Sequence, residues 1–275
     1  MNEHAPSEKD FTPVDGNEEV LSCTAGSVMW LKLNRPSVLN ALTQKMVSTL
    51  IDIIASARTR GGARVVVLHA AGRAFCVGTD FNESRLRNET PGANAAYVHA
   101  LHRLTEAIEQ CPCPVIAAVN GVAAAGGLEL MLACDLAYAA RSARLGDAHA
   151  NYAMFPGGGA TLRLGRRIGI SRAKRMMFTG DLTPANEAAA MGLVDAVVDD
   201  DQLLDSVRRL ADGLAAKSPL VLERMKNALH HAMEQSPAAA LAHERALYLA
   251  HADSGDRAEG IAAFLEKRAP DFKGI

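Results

Sequence analysis

The chain has 275 residues, 49% of them apolar, with 29 basic against 31 acidic residues and a formal charge of -2. That length and composition support a packed core without disulfide staples, and a charge so near zero gives no general attraction for polyanions, which argues against nucleic-acid binding. Five cysteines, at positions 23, 76, 111, 113 and 134, are odd in number and irregular in spacing. They point to a reducing, cytoplasmic setting and not to a disulfide framework.

Residues 1–18 are polar and acidic, without the apolar run of a signal peptide, and read as a mobile tail. No stretch reaches the roughly 18 apolar residues of a membrane span. Segments 20–23 and 27–33 flank Thr24-Ala25-Gly26 and read as a hairpin. Arg35-Pro36 then breaks the strand. Thr43 caps a helix to about residue 57, with Met46, Leu50, Ile53, Ile54 and Ala57 on one face. Segment 65–69 is a β-branched buried strand that leads into the small-residue loop AAGRAFCVGTDF. In that loop Gly78 lets the backbone turn, and Thr79 follows with a free N–H.

Segment 95–110 reads as an amphipathic helix, with Leu101, Leu104, Thr105 and Ile108 inward and His99 and His102 on the solvated side. Cys111-Pro112-Cys113-Pro114 lacks a second Cys/His pair at zinc spacing and reads as two small apolar residues entering a strand. No metal site is expected.

PVIAAVNGVAAAGGLELMLACD, from Pro114 to Asp135, is the stretch with most chemical content. It reads as a strand, a small-residue loop and a helix starting near Gly127. The first N–H groups of such a helix carry partial positive charge, suited to a phosphate or to an oxygen that becomes negative during a reaction. The spacing does not fit a nucleotide loop, and Glu129 would repel a phosphate. Beside a bound carbonyl Glu129 is placed to move protons, although acidic residues are also common in first turns simply to complement the dipole. Two alike loops follow two β-branched strands. If those strands are neighbours, the loops pair their donors around one oxygen.

Segment 136–140 reads as a further strand. Asp147 and His149 then interrupt a glycine-rich segment, and Pro156-Gly157-Gly158-Gly159 turns sharply into a helix from about residue 160. Ser171, Thr183, Ser218 and Ser236 are candidate N-caps, three of them followed by proline. Segment 194–198 is a last short strand. Helices near 201–217, 219–233, 237–250 and 255–267 complete a C-terminal lobe, and the segment around 214–233 has an apolar face wide enough to meet another subunit.

Together LNRPSVLNAL, GRAFCVGTDF, PVIAAVNGVAAAGGLELMLACD, FPGGGATLRLGRRIG, TGDLTPANEAAAMGLVDAVV and FLEKRAPDFK, in this order, resemble the crotonase superfamily, also called the enoyl-CoA hydratase/isomerase family. The resemblance runs from about residue 28 to 273. It implies an α/β fold, with a spiral of ββα units over 19–200 that holds an acyl-CoA site, and a helical trimerisation lobe over 201–275. It implies a homotrimer or dimer of trimers and no separate cofactor, coenzyme A being part of the substrate.

By the same resemblance the thioester oxygen accepts from the N–H groups of Thr79 and Gly126. The first of two family glutamates falls on Glu129, whereas the second falls on His149. A histidine there brings simple hydration into question, but its pKa lies near working pH and suits proton transfer, with Asp147 two residues away to orient it. Leu39 and the loop comprising Arg73, Phe75, Val77, Gly78 and Asp80 are implied to border the coenzyme A arm. Phe264 and Lys267 would reach its adenine or phosphates, commonly from a neighbouring subunit. Lys267 is otherwise one more exposed lysine. Cys76 reads as structural. Alternatives to a hydratase or isomerase are a CoA-thioester or β-diketone-type hydrolase and a catalytically silent acyl-CoA-binding protein.

Overall fold

The computed structural model describes residues 5–275, the side chain of Arg60 apart. Eleven strands are formed by these residues: β1 (Thr12–Val14), β2 (Asn17–Ala25), β3 (Val28–Leu33), β4 (Val65–Ala70), β5 (Ala74–Cys76), β6 (Val115–Val119), β7 (Val122–Ala124), β8 (Leu136–Ala140), β9 (Arg144–Gly146), β10 (Thr183–Pro184) and β11 (Ala196–Val198). The helices are α1 (Gln44–Ala55), α2 (Ala57–Gly61), α3 (Phe81–Asn88), α4 (Ala93–Gln110), α5 (Gly126–Ala133), α6 (Ala160–Ile168), α7 (Ile170–Thr179), α8 (Ala185–Ala190), α9 (Leu203–Ala215), α10 (Pro219–Ala232), α11 (Pro237–Ala252) and α12 (Gly255–Glu266).

The strands form two sheets, one of seven in the order β1-β2-β3-β4-β6-β8-β11 and one of four in the order β10-β9-β7-β5. From β3 to β11 the large sheet is parallel, as are β5, β7 and β9 in the small one. Three successive turns of the chain, beginning at β4, β6 and β8, thus each place one strand in each sheet before a helix, which is the expected spiral of repeated units. Every residue of β3, β4 and β6 is buried. Parallel strands covered on both faces require such continuous apolar runs. The cover is α9, lying across β3, β4, β6 and β8, with β5 packed against β4 and β6.

Local signals explain the helices. Thr43 Oγ1 accepts from Met46 N at 3.0 Å, and Met46, Val47, Leu50, Ile51 and Ile54 make the buried face of α1. Helix α4 buries Leu104, Thr105 and Ile108 as the periodicity predicts, adding Tyr97 and Ala100. Ser218 and Ser236 cap α10 and α11 with proline in the first turn. Ser171 and Thr183 do not cap: α7 already starts at Ile170 after Gly169, and Thr183 belongs to β10. A half-buried ion pair seats α10 on the core, Lys226 Nζ lying 2.7 Å from Asp135 Oδ2.

The amino-terminal segment departs from expectation. Residues 1–4 lie outside the described residues, but 12–14 form β1, antiparallel to β2, instead of a detached tail. Its polar composition hid two apolar anchors: Val14 is buried, and Phe11 packs on His69 with ring centroids 5.2 Å apart. Glu8 also reaches the buried Lys32 ammonium. Among the described residues no helix is long and apolar enough to cross a membrane.

Candidate active site

The site begins with two neighbouring strand ends. Strands β5 and β7 run parallel with Cys76 opposite Ala123, so the loops after them leave side by side. Gly78 has a φ of +95°, and a Cβ built on it would lie 2.9 Å from Gly126 N. A Cβ on Gly126 would lie 3.1 Å from the Gly78 Cα and 3.8 Å from Thr79 N. The start of α5 is drawn still closer at Gly127, where any Cβ would stand 2.0 Å from the Cys76 carbonyl oxygen. Only glycine permits that approach. Ala125, at φ 49° and ψ -122°, turns the chain from β7 into α5.

The backbone then aims the donors. Leu42 N donates to Gly78 O at 2.7 Å and Asp80 N donates to Leu42 O at 3.0 Å. In an extended segment successive N–H groups alternate sides, so Thr79 N–H points away from Leu42. Gly126 N–H, in the first turn of α5, has no acceptor within its own helix. Neither N–H donates to an acceptor among the described residues, and both residues line a cavity of about 830 Å³. The paired donors expected from the two loops are therefore together.

Glu129 and His149 line the same cavity. Glu129 is one turn into α5 and buried, and its Oε1 accepts from Gly158 N at 2.8 Å and Ala160 N at 3.1 Å. Oε2 has no hydrogen-bond partner among the described residues. Burial pushes the carboxyl above its ordinary pKa, although the Ala160 N–H, the charge of His149 and the Gly158 N–H pull the other way. The triple-glycine turn thus does more than reverse the chain: its amides hold the carboxylate.

His149 opens a short 3₁₀ turn after Ala148, whose φ is 53°. Its Nδ1 lies 3.0 Å from Asp147 Oδ1, and its main-chain N–H donates to the same oxygen at 3.3 Å. Burial opposes a charged imidazole, but the hydrogen bond and charge of Asp147, with the charge of Glu129, outweigh it and raise the pKa. With Nδ1 on Asp147, Nε2 is left for the cavity. Asp147 Oδ2 is buried without a partner.

The expected coenzyme A border divides. Leu39, Val77 and Asp80 line the cavity, next to the Gly78 turn. The Asp80 carboxylate is already engaged, capping α3 through Asn82 N and Glu83 N and meeting Arg35 Nη1 at 2.8 Å. Phe75 and Arg73 do not line it. Phe75 is the middle residue of β5 and fully buried in the core, while Arg73 precedes β5 at the end opposite the loop, with its carbonyl against Gly121. Phe264 and Lys267, at the end of α12, are exposed and line no part of this chain's cavity.

Burial pushes the Cys76 thiol up to about 12, which suits a structural role. Cys111 and Cys113 are buried thiols, and His99 and His102 are exposed. Among the described residues no group of three or more His, Cys, Asp or Glu side chains is arranged to hold a metal.

Among the lining residues that escaped the sequence reading, Arg87 and Tyr97 stand together. Arg87 Nη2 donates to Thr79 Oγ1 at 2.8 Å, and its guanidinium lies 3.7 Å from the centre of the Tyr97 ring. The signal that would have found α3, and so Arg87, is Asp80-x-x-Glu83, an N-cap pattern.

The family model described as enoyl-CoA hydratase/isomerase matches residues 24–275. The chain belongs to the enoyl-CoA hydratase/isomerase family. It is 38% identical over 247 residues to the 2,3-dehydroadipyl-CoA hydratase of Escherichia coli K12, covering 90% of this chain and 95% of that protein. Against mouse mitochondrial methylglutaconyl-CoA hydratase it is 34% identical over 253 residues, covering 90% and 80%. The crystal structure of enoyl-CoA hydratase from Bacillus anthracis superposes with a TM-score of 0.89 at 36% identity, covering 94% of this chain and all of that one. The chain is thus an enzyme of the hydratase/isomerase type acting on acyl-CoA thioesters, with the fold that type uses.

Proposed function

We propose that this enzyme adds water to a 2-enoyl-CoA, with the Thr79 and Gly126 N–H groups holding the thioester oxygen. One observation carries the reading: two unpaired, adjacent main-chain donors share a cavity with a carboxyl group and an imidazole, those of Glu129 and His149. Glu129, ionised, takes a proton from water as its oxygen bonds the β-carbon. The electron pair of the double bond moves toward the thioester, and the enolate oxygen rests on the two donors. His149, protonated at Nε2, then delivers its proton to the α-carbon. The histidine fills the role of a second carboxylic acid because Asp147 favours its charged form. The free Oε2 of Glu129 gives the water an acceptor.

Leu39 and Val77, with the Gly78–Asp80 turn, border the coenzyme A arm in this reading, and no further cofactor is needed. Exposed apolar side chains on α10 to α12, among them Leu229, Leu241, Tyr248 and Phe264, support a trimer or dimer of trimers in which Phe264 and Lys267 reach a neighbour's coenzyme A. Five cysteines without a disulfide suit a reducing, cytoplasmic setting.

Crotonyl-CoA tests the reaction. Loss of enoyl absorbance without release of free thiol is the expected result, and Glu129→Gln slows it by about 10²–10⁴-fold. The Asp147–His149 pair also favours a second reading, water activation for thioester hydrolysis, which would release free coenzyme A thiol instead. No turnover across short and medium enoyl-CoA chains contradicts both and leaves an acyl-CoA-binding protein.

A further inference from the structure

Arg87 is the one permanent cation among the described residues that line the cavity, and the enoyl-CoA reading leaves it without a task. It projects from α3, and 11% of its side chain is exposed. Its charge is shared with Glu83 across 3.2 Å, but Glu83 is the more open partner at 35%. Nη2 is tied to Thr79 Oγ1, the ring of Tyr97 supports the flat of the guanidinium, and the buried Nε has no partner. A buried guanidinium is costly unless its charge is compensated, and a ligand in the cavity can add to Glu83 through the terminal nitrogens, Nε being closed off. Ser84, Asn88 and Asn94 line the cavity nearby and add polar groups, whereas Val98, Leu101 and Leu182 make other parts of its wall apolar.

We propose that Arg87 recognises a carboxylate at the far end of the acyl chain, making this enzyme selective for short acyl-CoA thioesters of dicarboxylic acids. The inference rests on the acyl-CoA reading above. The planar fork of arginine matches a carboxylate, and stacking on Tyr97 fixes its plane before the ligand arrives. Arg87 is hydrogen-bonded to the side chain of Thr79, whose N–H holds the thioester oxygen. A carboxylate that reaches the guanidinium while the carbonyl is so held belongs to a chain of few carbons. A methyl-ended chain of equal length leaves the Arg87 charge uncompensated and gains nothing from the polar corner.

Calorimetric binding of unreactive saturated thioesters separates this proposal from the reading it rests on. Succinyl-, glutaryl- and adipyl-CoA are compared with butanoyl-, pentanoyl- and hexanoyl-CoA on the wild-type protein, Arg87→Met and Arg87→Lys, with free coenzyme A as control. The wild type is expected to bind at least one carboxylate-ended thioester about 10- to 100-fold more tightly than its methyl-ended partner, the range of a charge-assisted hydrogen bond. Arg87→Met abolishes that ratio, and Arg87→Lys, which keeps a charge without the fork, retains part of it.

Equal affinity within every wild-type pair overturns the selectivity while leaving the acyl-CoA reading intact. An unchanged ratio in Arg87→Met does the same. A loss in Arg87→Met that is equal for both series and for free coenzyme A also overturns it, assigning Arg87 to the common coenzyme A portion or to folding. Absence of binding by every thioester defeats the acyl-CoA reading itself and this proposal with it.

Discussion

The cavity has two kinds of chemical wall, and α5 contributes to both, Gly126 to one and Glu129 to the other. One presents main-chain N–H groups at Thr79 and Gly126, fixed by how closely two loops pack. The other presents side chains, Glu129 and His149, whose usefulness depends on their charge. The donors of the first wall are main-chain groups, although the Thr79 side chain also holds Arg87, and this wall does not tolerate added volume where the loops touch. The second keeps its shape under conservative substitution yet responds to pH. Preorganised donors need no reorganisation during reaction, whereas each proton carrier must be reset after every turnover.

Among changes that keep both proton carriers, the largest expected effect breaks the first wall. In Gly127→Ala the new methyl would stand 2.0 Å from the Cys76 carbonyl oxygen, so α5 and the β5 loop must separate. The rate with an enoyl-CoA should fall by about 10²–10³-fold, the loss typical of one misplaced oxyanion donor. Overpacking should also cost about 1–3 kcal/mol of stability. Steady-state kinetics and denaturant unfolding check both; wild-type kinetics in this variant would mean that the close approach is not needed.

The next effect concerns the second wall. Activity needs Glu129 ionised and His149 protonated. Both pKa values are raised, so both limbs of the pH–rate profile lie above the positions of an ordinary carboxylic acid and an ordinary imidazole. Asp147→Asn removes the main contribution that favours imidazolium. Its alkaline limb should move to lower pH, with a rate loss at neutral pH of up to about 10²-fold. The acid limb is set chiefly by burial of Glu129 and should move little. A profile with an unmoved alkaline limb would remove His149 as the acid.

Ala125→Gly gives the smallest effect. Alanine at φ 49° and ψ -122° is strained, at a cost of about 1–3 kcal/mol, which glycine relieves while adding roughly 0.4–1 kcal/mol of unfolded-chain entropy. The net expectation is a gain near 1 kcal/mol in a thermal melt. A lower melting temperature would show that the Ala125 methyl, packed beside Gly78, outweighs the strain.

Much of the first wall was legible because glycines and β-branched runs leave strong local signals. Strands β4 and β6 and the start of α5 follow from Val65 to His69, Val115 to Val119 and Gly126-Gly127. Their adjacency, which brings Thr79 beside Gly126, is a long-range fact that no local pattern holds. The second wall was legible in part. Asp147 and His149 stood out as polar residues in an apolar stretch, but the bonds from Gly158 and Ala160 to Glu129 join positions about thirty residues apart. Phe75 was misplaced because three residues of β5 carry no alternation that separates a core face from a cavity face. In β1, Phe11 and Val14 are too few to lift a polar segment above its composition. Arg87 was hidden on a short helix that fully buries none of its residues and exposes Phe81 and Leu86 beside its polar ones, so no amphipathic pattern marks it.

The most direct test is a crystal structure with a bound unreactive acyl-CoA. The thioester oxygen is expected within hydrogen-bond distance, about 2.7–3.2 Å, of both Thr79 N and Gly126 N, with the α- and β-carbons between Glu129 and His149. A thioester oxygen that accepts from neither amide, or an acyl chain seated away from Glu129, would contradict the account.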